Sequence, residues 1–94
     1  MTFSKRDGNE AAILAALRGL GVWHRQLDRT SGFDLLLCWR GQSWIVEIKD
    51  GSQPPSARKL TPNEYRTRAE LEAIGVGYHV CESLDDVLRV IGAA

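Results

Sequence analysis

Apolar and polar positions change period several times along the chain, and each change marks an element. After Asn9, a residue type that caps helices well, Glu10-Ala-Ala-Ile-Leu-Ala-Ala-Leu-Arg-Gly-Leu20 places Ala11 or Ile13, Leu14 and Leu17 on one face. Its alanines favour helix, and Gly21 is placed to end it. Glu10 lies four residues before Leu14 and so shares the edge of the apolar face. Residues 22–27 read as a short strand, and Asp28-Arg-Thr-Ser-Gly32 as a polar turn.

The period then becomes two. Phe33-Asp-Leu-Leu-Leu-Cys-Trp39 and Gln42-Ser-Trp-Ile-Val-Glu-Ile-Lys49 flank Arg40-Gly41, the length of a two-residue hairpin loop. Opposed residue numbers then sum to 81, which sets Asp34 across from Glu47. Alternation puts Asp34, Leu36 and Cys38 on one face with Ser43, Ile45, Glu47 and Lys49. Leu35, Leu37, Trp39, Trp44, Val46 and Ile48 take the other. Apolar residues on both faces predict a hairpin inside a sheet covered by helices.

Glycine and paired prolines make residues 50–59 a loop. Thr61, Pro62 and Glu64 spell a capping box with proline in the first turn. Leu60 can staple against Tyr65, and the helix should stop near Gly75. A strand is expected at 76–81, then a helix capped by Ser83 with Asp86 and packed through Val87, Leu88 and Ile91. The expected fold class is α/β: one domain over residues 1–94, with a central mixed sheet flanked by helices in the order α-β-β-β-α-β-α.

Composition narrows the class. At 94 residues, 44% hydrophobic and 26% charged, the chain is globular in composition, and its core should be small. No stretch is apolar enough to span a bilayer, and the Met-Thr-Phe-Ser-Lys-Arg start lacks the apolar run of a signal peptide. A cytoplasmic protein with no membrane partner is expected. Cys38 and Cys81 sit in apolar strands, as buried free thiols do, and two isolated cysteines make a poor zinc signature. The formal net charge is zero, yet residues 1–68 carry eleven Lys/Arg against seven Asp/Glu, while residues 69–94 carry one against five. A basic side can meet phosphates if this asymmetry in sequence becomes one in space; ordinary solvated charge is the alternative.

The chemistry concentrates in the hairpin. Opposed carboxylates at the margin of an apolar sheet are costly unless a cation, water or donor compensates them. An all-oxygen donor set suits Mg2+, with Mn2+ as substitute, rather than zinc. Lys49, two residues from Glu47, reaches over the same site, where it can orient an attacking water or stabilise a phosphoryl transition state. Local salt bridges or a non-catalytic sheet edge would use the same residues.

The chain also resembles the PD-(D/E)XK nuclease superfamily, and within it the compact virus-type replication and repair nucleases (VRR-NUC) or a Holliday-junction-resolvase-like branch. The resemblance covers residues 7–92 and rests on Asn9-Glu10, Gly32-Phe-Asp34, Val46-Glu-Ile-Lys49 and Lys59-Leu-Thr-Pro-Asn-Glu-Tyr65. It implies a nuclease-like domain and a metal-dependent endodeoxyribonuclease. Asp34, Glu47 and the backbone carbonyl of Ile48 would bind the metal. Lys49 would act on water, and Glu10 would complete the catalytic set directly or through water. Two departures stand out: Phe33 replaces the proline of the superfamily name, and Glu64 falls where a glutamine is common.

The resemblance further implies DNA as partner, branched DNA included, and a homodimer. Arg25, Arg29, Arg58, Lys59, Arg66 and Arg68 are candidates for nucleic-acid contact, each with ordinary surface charge as the alternative. Glu64 reads first as a capping residue. His24 and His79 read as non-catalytic, and Trp23, Trp39 and Trp44 as core or subunit contacts rather than nucleotide-stacking groups. A catalytically inactive nucleic-acid-binding or assembly module with the same fold is the alternative to an enzyme.

Overall fold

A computed structural model describes residues 8–94. The Met-Thr-Phe-Ser-Lys-Arg start and the expected residue-7 boundary lie outside the described residues. The element order follows the periodicity: α1 (Glu10–Leu20), β1 (Trp23–Gln26), β2 (Leu35–Trp39), β3 (Gln42–Ile48), α2 (Pro62–Ala73), β4 (Tyr78–Cys81) and α3 (Leu84–Ile91). Two short 3-10 turns, Arg29–Ser31 and Pro55–Arg58, occupy stretches expected to be irregular. The first forms because the Asp28 carboxylate accepts from the Thr30 N–H at 3.0 Å.

The sheet runs β1-β2-β3-β4, antiparallel across the first three strands and parallel between β3 and β4. Leu35 pairs with Val46, Leu37 with Trp44 and Trp39 with Gln42, so the predicted register holds. Arg40 and Gly41 both have positive φ, 51° and 79°, as a tight hairpin loop that matches strand twist requires. One sheet face carries Leu35, Leu37, Val46 and Ile48, all fully buried. Against them pack Ile13, Leu14 and Leu17 of α1 and Val87 and Ile91 of α3. Trp39 and Trp44 pack at the margin of this core, but Trp23 stays 45% exposed.

The opposite face is only partly roofed, by α2. That helix buries none of its residues and is held by polar contacts. Asn63 Nδ2 donates to the carbonyls of Arg29 and Thr30 at 3.4 and 3.3 Å, and Glu64 meets Lys49. The expected Leu60–Tyr65 staple contributes little burial, since Tyr65 is 58% exposed. The capping box itself forms in full: Thr61 Oγ1 accepts from the Glu64 N–H at 3.2 Å, and Glu64 Oε1 from the Thr61 N–H at 2.8 Å.

Two local expectations change. Asn9 makes no side-chain cap on α1; its Nδ2 instead donates to the carbonyls of Lys49 at 3.3 Å and Glu82 at 3.1 Å. That choice ties the start of α1 to the end of β3. The last strand is shorter than residues 76–81, because the chain leaves α2 through Gly75 at φ 83° and pairs only from Tyr78. Cys38 and Cys81 are free thiols as expected, and burial pushes the Cys81 thiol up to about 12. Among the described residues no helix is long and apolar enough to cross a membrane.

Gly32 joins the two halves of the site face. It has φ 82°, and a Cβ there would lie 2.0 Å from Thr67 Oγ1 on α2. Gly32→Ala should therefore cost roughly 2–3 kcal/mol in urea unfolding, combining left-handed strain with overpacking. Gly21→Ala, at φ 78° with nothing within 4 Å, should cost only about 1 kcal/mol. Equal losses at the two glycines would show that the close approach of α2 to this turn contributes nothing.

Candidate active site

Asp34 lies just before β2, at the end of the hairpin where β3 leaves the sheet. Its N–H donates to the Val46 carbonyl at 3.1 Å, and its own carbonyl accepts from the Leu27 N–H at 2.9 Å, so both flanking strands hold its backbone. Its Oδ2 accepts from the Ile48 N–H at 2.7 Å. The carboxylate thus reaches across the hairpin to the residue after Glu47. Ile48 places its side chain in the core and its backbone between Glu47 and Lys49.

Glu47 and Lys49 alternate away from the core side chains and are nevertheless buried, at 2% and 8% exposure. Their cover is α2. Lys49 Nζ lies 3.0 Å from Glu64 Oε1 and 3.4 Å from Glu47 Oε2. Burial draws the Lys49 ammonium down, but the hydrogen bond to Glu64 and the charges of Glu47 and Glu64 outweigh it and raise it overall. Glu64, which burial alone would raise, is held below the ordinary carboxylate range by the Thr61 N–H and by its contacts with Lys49 and Glu47. Lys49 and Glu64 are accordingly an ion pair at neutral pH.

Glu47 differs. Burial, the nearby Asp34 charge and Glu64 together push it up to about 10, and Lys49 only partly offsets them. Its Oε1 is buried with no hydrogen-bond partner. Ionised, with one oxygen on Lys49 and the other unsatisfied beside a second carboxylate, Glu47 would be poorly compensated without a further cation. Asp34 and Glu47 are oxygen donors of the kind a hard divalent ion takes; among the described residues no group of three His, Cys, Asp or Glu side chains is close enough to hold one. A divalent ion there would draw on these two carboxylates and would need further oxygens from backbone or water.

Glu10 is 2% exposed, and its Oε2 accepts from Gln26 Nε2 at 3.1 Å. The Asn9 link to Lys49 brings this helix start to the same end of the sheet. Sequence reasoning gave Glu64 to the cap first; the structure gives one oxygen, Oε1, to both the Thr61 cap and Lys49. It also missed Tyr78, whose hydroxyl donates to the Gly32 carbonyl at 2.6 Å and whose titration is raised by burial and by Glu47, Glu64 and Asp34. The available signal was the need of a buried tyrosine hydroxyl for a partner.

The basic candidates differ in their partners. Arg58 pairs with Glu82 at 3.0 Å, and Arg68 with Glu72 at 3.3 Å, while Arg66 donates to Asn63 Oδ1 at 2.9 Å. Arg29 and Lys59 are exposed, Arg29 with its carbonyl on Asn63 of the first turn of α2 and Lys59 just before that helix, and Arg25 is exposed on β1. His24 and His79 lie within strands, as expected.

Neither a family model nor a curated protein matches the chain. Among solved structures it is similar to one described as a VRR_NUC domain, with a TM-score of 0.64 and 26% identity over 88% of this chain and 89% of that chain. The mixed sheet flanked by helices is thus a VRR-NUC nuclease-like fold, consistent with a PD-(D/E)XK-like domain.

Glu47 yields a prediction in the metal-free protein. Because its folded value is raised, to about 10 from 4.5, its contribution to stability is fully present below about pH 4.5 and fades as pH climbs towards 10. Glu47→Gln should therefore melt higher than the unsubstituted protein by an amount that grows from pH 5 to pH 9, on the order of 4–8 °C per kcal/mol for a chain this size. Adding Mg2+ or Mn2+ at pH 8 should raise the melting temperature of the unsubstituted protein and leave Glu47→Gln unmoved. A pH-independent difference would mean that Glu47 is ionised throughout.

Proposed function

We propose that this VRR-NUC nuclease-like fold works as a divalent-metal-dependent endonuclease that hydrolyses DNA phosphodiester bonds. The observation that carries the proposal is the buried Glu47 carboxyl, with Oε1 unpartnered, between Asp34 and Lys49 on one sheet face. The description of the similar structure as a VRR_NUC domain supports a nuclease, and a nuclease fold implies nucleic acid as partner.

In this reading Asp34, Glu47 and the Ile48 carbonyl hold Mg2+, or Mn2+ in its place. The ion would supply Lewis-acid polarisation of the scissile phosphate. The Ile48 N–H keeps the Asp34 carboxylate turned towards β3, so the donor set is organised before substrate arrives. Lys49 offers N–H donors and a positive charge to the negative charge that builds on the phosphoryl oxygens, and orients the attacking water. Glu64 fixes where the ammonium sits, because its own carboxylate is anchored to the Thr61 N–H. It is a positioning residue.

Branched DNA, Holliday junctions among it, and a homodimer belong to the same proposal: a chain of 94 residues has little surface for a wide DNA groove, and a second copy would extend it. The Glu64 hold on Lys49 is also what an inactive binding module would show, so the test must separate binding from cleavage.

Lys49→Met keeps the bulk and removes the charge. It should retain fold, Mn2+ uptake and DNA binding while cleavage falls by about 10²–10³-fold, the loss of one transition-state donor. Asp34→Asn should abolish both metal uptake and cleavage. Glu64→Gln should cleave faster than Glu64→Ala, since the amide oxygen can still accept from Thr61 and Lys49. Linear, flap and four-way-junction DNA, with RNA beside them, would be assayed with and without Mg2+. Absence of cleavage by the unsubstituted protein on every substrate, with binding intact, would favour the binding module.

A further inference from the structure

Trp23 and Arg25 are left over from the core and from the site. They sit on β1, an edge strand, where Trp23 opposes Cys38 and Arg25 opposes Leu36. Directly opposed residues share a sheet face, and Leu36 and Cys38 alternate with the core residues Leu35 and Leu37. Trp23 and Arg25 therefore project from the face that carries Asp34, Glu47 and Lys49. Their strand neighbour Gln26 confirms the parity by reaching the other way, to Glu10 of α1.

Two features point to a ligand. Trp23 remains 45% exposed although its strand is paired, and the Arg25 guanidinium lies 5.0 Å from its ring centroid, which orders the indole and puts a cation beside it. The part of the face beside them is also open. The roof helix meets Lys49 after β3 and the β1–β2 connection at Arg29, Thr30 and Gly32, all at the Asp34 end of the strands, whereas Trp23 lies at the other end of β1, and Leu36 and Cys38 on β2 are only half-buried. An ordered aromatic with an attached cation suits a nucleobase with its phosphate, because a base offers a flat π surface and the backbone a negative charge. A purely apolar partner would leave the guanidinium without a counter-charge.

Distance sets the geometry. Cys38, opposite Trp23, is four residues along the strand from Asp34, about 13 Å at strand rise. That is roughly four stacked nucleotides of one DNA strand. A base inside a duplex cannot offer its face to an indole, whereas an unpaired base can.

We propose that Trp23 and Arg25 form a stacking platform for an unpaired nucleobase on the strand that enters the candidate active site, giving the protein a preference for DNA with a single-stranded segment. The platform deepens the nuclease reading and rests on it for its substrate. Binding can be measured without cleavage, with Ca2+ in place of Mg2+, so the two readings fail separately.

Trp23→Ala, Trp23→Phe and Arg25→Ala would be titrated against a thymidine 12-mer, a flap and a blunt duplex of equal length. Each variant would be checked for fold and sedimentation. Trp23→Ala should weaken 12-mer and flap binding by about 5–150-fold and blunt-duplex binding by less than about twofold, with Trp23→Phe close to the unsubstituted protein. An abasic site scanned from the cleaved bond should reproduce the Trp23→Ala loss at one position within about four nucleotides and add nothing to it in that variant. Equal weakening on all three DNAs, or none, would overturn the platform while leaving the nuclease reading standing. A dimer that dissociates on Trp23→Ala would make Trp23 a subunit contact and also overturn it. Selective 12-mer binding without cleavage in Mg2+ would keep the platform and defeat the nuclease.

Discussion

The contact on which the site depends is the ion pair between Lys49 and Glu64. It joins the end of β3 to the first turn of α2 and stands beside Glu47. Two buried ionisable groups, Glu47 and Lys49, with a third, Glu64, half-buried beside them would ordinarily be a heavy penalty, since each loses hydration. Here one proton and one permanent pair divide the work. Lys49 and Glu64 neutralise each other, Thr61 satisfies Glu64 further, and Glu47 takes up a proton because Asp34 and burial oppose its charge. Removal of that proton by a cation at Glu47 would leave the Lys49–Glu64 pair in place.

The same pair explains how a helix without a buried residue can roof the sheet. α1 and α3 are held by hydrophobic contact with Leu35, Leu37, Val46 and Ile48, whereas α2 is held by Glu64 at Lys49, Asn63 at the 3-10 turn and Thr67 against Gly32. Such attachment is directional: it fixes where α2 starts more firmly than how far it spreads. The roof therefore covers the Glu47 end of the face and leaves Trp23 and Arg25 of β1 exposed. The capping box is part of this attachment, because the atom that caps the helix also grips the lysine.

Much of this is legible in the sequence. The two-residue loop at Arg40-Gly41 fixed the register, and period-two alternation then put Asp34, Glu47 and Lys49 on one face. Those are local rules with few competing solutions. The dual role of Glu64 was half legible: the cap is a short-range pattern, but the Lys49 contact spans fifteen residues and depends on how the 50–61 segment folds. Asn9 shows the opposite error. Its residue type suits a cap, yet two carbonyls distant in sequence recruit the amide, and no local pattern announces them. The tryptophans divided for a similar reason, since strand position rather than hydrophobicity decides that Trp39 and Trp44 meet the core while Trp23 faces outward.

The two sheet faces thus have different tasks, and the chain keeps them apart by parity alone. Leu35, Leu37, Val46 and Ile48 on the α1 and α3 face are constrained by packing, so a slip of one position in β2 or β3 would drive Asp34, Glu47 and Lys49 into an apolar layer that cannot solvate them. Conversely, the half-roofed face tolerates charge only because α2 supplies Glu64 at one end and solvent reaches the other. The candidate chemistry sits where these conditions meet: buried enough to raise Glu47, with carboxylates close enough to keep Lys49 charged, and open enough along β1 and β2 for a polymer to approach. A fully covered face would shut out a polymer, and a fully open one would leave Glu47 an ordinary ionised carboxylate with no need of a further cation.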